Sequence, residues 1–325
     1  MLQKGEKPKP VPVFIDFEKA VCYANYVGVS ERTPVFSIKR HSPMQGECEK
    51  SECGVTIYIK EGRTMERKPV TIDLEVFPEE FHPLLDGAKV YDSSCSARAR
   101  VYYIEKDAGF YLKRSPAGTL TREAALTEFF HSKGLGAEVL GYCSLEQDWL
   151  LTRKIPGEDC IWSRYLEDPK RLSQLTGELL RRLHEVDPTG CPVPDRTAEY
   201  LTAAERGYRE NAYEADLFPD NWGYATPEAA WRDVETYGPY LKNDTLLHGD
   251  YCLPNILLDD WKFTGFIDLD TGGVGDRHVD LFWGAWTLRF NLKTDAWCNR
   301  FLDAYGRDRI EPEILRAIAA FELFG

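Results

Sequence analysis

Asp250, Asn255 and Asp268 lie in the run HGDYCLPNILLDDWKFTGFIDLD, residues 248–270. Two carboxylates and a side-chain amide are hard oxygen donors of the kind Mg²⁺ takes, since that ion keeps several waters and needs few protein ligands. A carboxylate such as Asp250 can also orient a hydroxyl group and receive its proton. The elements that must position these groups are legible nearby. Asn255-Ile-Leu-Leu and Lys262-Phe-Thr-Gly-Phe-Ile have the character of two short strands joined by the turn-forming Asp259-Asp260. Such a hairpin brings Asn255 and Asp268 to one open end, within reach of a single divalent cation.

Asp250 and Asn255 are five positions apart, the spacing of the kinase catalytic-loop pattern HRDxxxxN, with Gly249 in the place of its arginine. Upstream, residues 101–105 and 110–114 read as a hairpin around the turn signal Lys106 to Gly109. A period of two puts Tyr111 and Lys113 on one face and Phe110 and Leu112 on the other. A ring and an ammonium on one face suit a nucleotide, the ring for the base and the ammonium for the α and β phosphates. The preceding loop, Asp92 to Ser96, has no glycine, so phosphate cradling would fall to Ser94, Ser96 and backbone N–H groups. Residues 121–133 carry Ala125, Leu126, Phe129 and Phe130 at helical spacing and stop before Gly134. Glu123, in the first turn of that helix, could pair with Lys113 and hold it for phosphate.

HGDYCLPN followed by FIDLDTGGVGDRHVDL resembles the aminoglycoside 3'-phosphotransferases, bacterial enzymes of protein-kinase-like fold that phosphorylate antibiotics and so confer resistance. The resemblance runs from about residue 76 to 325. It implies an α+β, two-lobed architecture: a β-rich amino lobe with its hinge over 76–157, and a helical carboxyl lobe over 158–325. A small α/β extension, 1–75, precedes them, with a helix expected at 16–26 and strands at 55–59 and 70–74. ATP and Mg²⁺ are implied, with Asp250 catalytic, Asn255 and Asp268 on the metal, and Lys113 aligned by Glu123. The hinge would bind the base through backbone groups around Thr152 to Ile155, which any side chain permits, so GTP stays open as a donor. Asp216, Asp220 and Asn221, beside Trp222, match one wall of the family's drug pocket, and Glu322 with the terminal carboxylate would lie beside the substrate. The implied substrate is a cationic aminoglycoside phosphorylated at its 3'-hydroxyl.

Several positions depart from the family. Phe290, Asn291 and Phe321 stand where relatives have acids, Thr271 replaces an arginine, and Asp270 replaces a glycine. Losing cation-binding groups while keeping the phosphate machinery raises a first alternative, a kinase of another small molecule such as a peptide antibiotic or a metabolite alcohol. A second is a catalytically silent nucleotide-binding protein. Against it stands the joint presence of Lys113, Asp250, Asn255 and Asp268.

Composition sets the outer bounds. The 325 residues carry a formal net charge of -13, which argues against a general nucleic-acid binder and for attraction of cationic ligands. Nine scattered cysteines without a CxxC pair, no apolar leader and no run of about 18 apolar residues point to the cytoplasm and away from membranes. Leu172, Leu175, Leu179, Leu180 and Leu183 form a core stripe, with His184 structural. Asp276 and Asp280 are expected to brace the catalytic segment.

Overall fold

In the computed structural model the described residues are 67–94, 99–213 and 223–325. The helix expected at 16–26, the strand at 55–59, and Ser96, Asp216, Asp220 and Asn221 lie outside them. Alternating apolar residues build one antiparallel sheet of six strands: β1 (Lys68–Val70), β2 (Lys89–Asp92), β3 (Arg100–Glu105), β4 (Phe110–Pro116), β5 (Val139–Ser144) and β6 (Gln147–Arg153), in the order β1-β2-β3-β4-β6-β5. The short α1 (His82–Leu85) follows β1, and α2 (Thr121–Ser132) sits between β4 and β5. Val90, Ile104, Phe110, Leu112, Trp149 and Leu151 point to one face and close over Phe77, Phe81 and Leu85. The other face of β4 is left for Tyr111 and Lys113, as period two requires.

The strand expected at 70–74 is instead β1, which pairs Val70 with Val90 of β2. The main sheet therefore starts ahead of residue 76. A three-residue strand suffices here because it covers the open edge of β2 without itself offering a long one.

After the hinge come β7 (Glu158–Asp159), α3 (Ser163–Leu166), α4 (Pro169–His184), α5 (Arg196–Arg209), α6 (Pro227–Tyr237), β8 (Thr245–Leu247), β9 (Ile256–Asp259), β10 (Lys262–Phe266), β11 (Gly273–Gly275), α7 (His278–Leu292), α8 (Cys298–Tyr305) and α9 (Pro312–Glu322). Side chains of Asp168, Asp195 and Thr226 accept the third backbone N–H beyond them and start α4, α5 and α6. Leu172, Leu179, Leu180 and Leu183 are buried in the carboxyl-lobe core, while Leu175 packs at its margin. The two lobes thus have separate cores. Helix α2 joins them: Ala124 packs with Leu120 and Leu150 beside the sheet, whereas Leu126 and Phe130 belong to the carboxyl-lobe core. That is why α2 is buried on several sides and lacks a clean solvent face.

The β9–β10 hairpin forms, with its turn one residue later than expected. Asp259 pairs with Lys262, and Asp260 and Trp261 occupy the turn with φ of 47° and 67°, the two positive values a type I′ turn needs. At the hinge, Gly157 has φ +95°, and a Cβ there would come 2.2 Å from the Leu258 carbonyl oxygen. Only glycine allows the chain leaving the amino lobe to lie against this hairpin. No helix among the described residues is long and apolar enough to cross a membrane. Gly157→Ala is expected to lower the unfolding free energy by about 1–3 kcal/mol, the cost of a strained backbone residue. Urea unfolding followed by tryptophan fluorescence checks this, and an unchanged midpoint would remove the steric role assigned to Gly157.

Candidate active site

Lys113 on β4 donates from Nζ to both carboxylate oxygens of Glu123 on α2, at 2.9 and 2.8 Å, and to Oδ1 of Asp268 at 3.0 Å. Burial would by itself discharge the ammonium. The charges of Asp268 and then Glu123 more than reverse this and hold its pKa above the ordinary lysine value. Lys113 in turn holds Asp268 below the usual carboxylate range. Burial pushes Glu123 up, to about 7, against the pull of Lys113. Asp268 is the open member of the three, with 55% of its side chain exposed against 8% for Glu123. Its backbone is left-handed, with φ 56°.

Asp250 follows the buried strand β8. The His248 and Gly249 N–H groups donate to the two carboxylate oxygens of Asp280, each at 2.8 Å. Asp280 is fully buried and also accepts from His184 Nε2 at 3.1 Å, while His184 Nδ1 meets the Tyr305 hydroxyl at 2.9 Å. Asp276 accepts the Lys242 N–H at 2.7 Å and the His278 N–H at 2.9 Å. Both acids therefore brace backbone. Gly249 has φ +86°, and a Cβ there would stand 2.1 Å from the Thr271 carbonyl oxygen. A side chain is excluded because the loop after Asp268 lies directly against the segment that carries Asp250.

The Asn255 amide nitrogen donates to the Asp250 carbonyl at 3.0 Å and to its Oδ2 at 2.9 Å. This holds the carboxylate in place and leaves the amide oxygen as the donor for a cation. Burial pushes the Asp250 carboxyl up, and Asp268 adds to it, against hydrogen bonds from the Cys252 and Asn255 side chains and the charge of His248. The Ile267 N–H donates to the Asn255 carbonyl at 3.1 Å, so the hairpin ladder continues past Phe266 and sets Asn255 beside the residue preceding Asp268. One carboxylate and one amide oxygen at that opening fit a Mg²⁺ ion that completes its shell with water and phosphate. No group of three or more His, Cys, Asp or Glu side chains among the described residues forms a closed cage.

Glu322, at the end of α9, accepts from the Tyr200 hydroxyl at 2.8 Å and from Trp283 Nε1 at 3.1 Å, both on Oε1. Burial pushes its pKa up to about 7, against those two hydrogen bonds and Arg196. Trp283 meets Trp286 edge to face at 5.4 Å, and Trp286 stacks on Phe290 at 5.0 Å. Phe321 is fully buried and stacks on Tyr200, and the Asn291 amide turns back to the Thr287 carbonyl at 2.8 Å. The residues that stand in place of acids have thus become core and helix contacts.

Other expected nucleotide contacts are placed as follows. The Tyr111 hydroxyl accepts from Arg67 at 2.9 Å, and its ring leans on Tyr103. The Ser94 hydroxyl accepts the Val101 N–H at 2.9 Å and so closes the base of its loop. Thr152 is paired through its backbone with Tyr111 on one side and Val139 on the other. The Arg153 and Lys154 N–H groups are likewise spent, on the Glu138 and Gly109 carbonyls. Ile155 is buried with Ala137 and Leu257, with Ile267 packed alongside. Sequence reading missed this apolar cluster because Ile256, Leu257 and Leu258 are all buried, so β9 shows no alternation that would single Leu257 out. It also missed Tyr200 and Trp283 around Glu322, and Arg122, Arg196 and Glu199, which carry no motif.

A β-rich lobe, a helical lobe and a lysine–glutamate pair facing an Asp–Asn–Asp set between them define a kinase-like phosphotransferase. The chain belongs to the phosphotransferase enzyme family, whose model matches residues 95–318. It is 49% identical over 259 residues to the Lactococcus lactis protein named "Probable aminoglycoside 3'-phosphotransferase", a match covering 79% of this chain and 98% of that one. An aminoglycoside 3'-phosphotransferase of Enterococcus faecalis is 28% identical over 240 residues, 69% of this chain and 88% of the other. Among solved structures, the Streptomyces rimosus aminoglycoside phosphotransferase APH(3'')-Id, in complex with ADP and streptomycin, shares the fold with a TM-score of 0.58 at 24% identity, covering 77% of this chain and 99% of that one.

The sign of one pH dependence follows from Glu322. A carboxyl raised from about 4.5 to about 7 holds a proton in the folded state that the unfolded state releases, so it costs stability as pH rises through that window. Glu322→Gln should therefore gain stability relative to the parent between pH 5 and 7.5. Urea midpoints of the two proteins at both ends of that range test it, and parallel curves would refute the raised pKa.

Proposed function

We propose that the protein transfers the γ-phosphate of ATP to the 3'-hydroxyl of a cationic aminoglycoside. The observation that carries this is the Lys113–Glu123–Asp268 cluster meeting the Asp250–Asn255 pair at one opening. The names of the Lactococcus and Enterococcus relatives support the substrate class. Lys113, kept charged by its two acids, binds the α and β phosphates. Ile155, Ala137, Leu257 and Ile267 offer an apolar bed for the base. Asn255 and Asp268 would hold Mg²⁺, which when bound neutralises charge on the transferring phosphoryl group.

Asp250 accepts a hydrogen bond from the acceptor hydroxyl. As the hydroxyl oxygen bonds to the γ-phosphorus and the bond to the β–γ bridging oxygen breaks, the hydroxyl proton passes to Asp250 and ADP leaves. Its raised pKa, which follows from burial, suits the acceptance of a proton. Because the transition state is loose, positioning by Asn255 and Asp280 matters more than basicity. On the drug side, the free oxygen of Glu322 meets an ammonium, and the half-buried rings of Trp283 and Phe290, backed by the buried Trp286, pack a sugar ring. We place the activity in the cytoplasm, where ATP is available and where Cys143, Cys160, Cys191, Cys252 and Cys298 would stay as the free thiols they are here.

A kinase of another small molecule is the second reading. It is favoured by the burial of Phe321 and the inward turn of Asn291, which leave fewer acids facing a polycation.

Asp250→Ala should lower kcat at least a thousandfold while nucleotide affinity stays within about twofold. Coupled-assay kinetics with ATP, Mg²⁺ and kanamycin-like, neomycin-like and peptide antibiotics, together with nucleotide titration, would check this. Wild-type turnover by the variant would overturn its assignment, and parent activity confined to non-aminoglycosides would favour the second reading. We further propose that residues 1–66 are dispensable for catalysis. A chain starting at residue 67, which keeps β1, should match the full chain in kcat/KM, whereas a large loss would assign the extension to the catalytic unit.

A further inference from the structure

The loop that follows Asp268 is gripped by two guanidinium groups that share one carboxylate. Arg122 on α2 donates from one terminal nitrogen to the Gly272 carbonyl at 3.0 Å and from the other to Glu199 Oε2 at 2.7 Å. Arg196, at the start of α5, donates from Nε to the Thr271 carbonyl at 3.0 Å and lies 3.5 Å from the same Glu199 oxygen. Two neighbouring carbonyls of one loop are thus held by arginines from different lobes.

The geometry points to an interlobe latch, Arg122–Glu199–Arg196, that positions the Asp268 loop for phosphoryl transfer. Every member adjoins a group of the active site. Arg122 precedes Glu123, which grips Lys113. Glu199 precedes Tyr200, which donates to Glu322. The Thr271 carbonyl held by Arg196 abuts Gly249, next to Asp250. The arrangement is built to depend on its carboxylate: burial and the charge of Arg122 both act to discharge Arg196, while Glu199 and Glu322 oppose them. Without Glu199 two like charges face each other over one loop, and the grip on residues 271–272 is lost from both sides. Arg122, Glu199 and Arg196 are positioning residues, acting through Asp268 and Glu123 rather than on substrate. The inference rests on the phosphotransferase reading of the same site.

Its test is a double-mutant cycle in the full-length protein with Arg122→Met, Glu199→Gln and both together. Each single variant is expected to lose about tenfold in kcat with the nucleotide KM within about twofold, within the usual range for coupled sites. The double variant should lose no more than either single one, because all three open the same latch. Arg122→Lys should recover only part of the loss, since one ammonium cannot replace the two-pronged contact. Unchanged kcat in folded variants, or losses that multiply in the double, would overturn the latch. If Arg122→Met fails to fold, Glu199→Gln against Arg196→Met supplies the same cycle. Should the parent show no turnover on any aminoglycoside, the substrate reading fails by itself. Hydrogen exchange of the amides at 269–273 then decides the latch: equal acceleration in single and double variants supports it, and parental protection sinks it.

Discussion

A lysine ammonium buried between two lobes has to be kept charged, and that constraint organises this protein. Lys113 sits on a central strand of the amino-lobe sheet, Glu123 on the helix that bridges the two cores, and Asp268 at the mouth of the carboxyl-lobe hairpin. Removing the buried Glu123 would leave the half-buried ammonium with only the exposed Asp268 as partner, so the inner carboxylate matters more to the folded chain than the open one. The cluster therefore does double duty. It closes the lobes on each other, and it presents one charged nitrogen and one open carboxylate where phosphates would enter.

Around that cluster, rigidity comes from backbone-directed acids. Asp280 receives two consecutive N–H groups ahead of Asp250, and Asp276 ties the chain before β8 to the start of α7. Carboxylates that accept backbone hydrogen bonds cannot be replaced by apolar residues without leaving buried N–H groups unpaired. Asp250 is thus held by a framework of buried groups on α4 and α7.

How much of this could be read from the chain depended on range. The hairpin was legible because two strand-forming runs flank a turn pair over 256–266, and Asn255 and Asp268 sit just beyond its two ends with Asp250 five positions ahead of Asn255. Lys113 and Glu123, ten residues apart, were legible from strand and helix periods together. The strand at Lys68–Val70 was misplaced because a three-residue edge strand carries almost no periodic signal, and its partner β2 lies about twenty residues on. The arginines at 122 and 196 were invisible for another reason. Their partners are carbonyls 150 and 75 residues away, and any residue type supplies a carbonyl. Phe290 and Phe321 could be seen as departures, but only the packing reveals that they became contacts for Trp286 and Tyr200.

The left-handed backbone of Asp268 narrows which residues this position can hold. At φ 56° a residue with a long or branched side chain pays a steric cost that Asp and Asn largely avoid. Glutamate, the obvious exchange for a carboxylate, is therefore disfavoured by the main chain before its extra methylene is even considered. Asparagine fits the backbone but surrenders the charge that Lys113 needs. The position is therefore constrained from two independent directions, by the conformation of its own backbone and by the charge on Lys113.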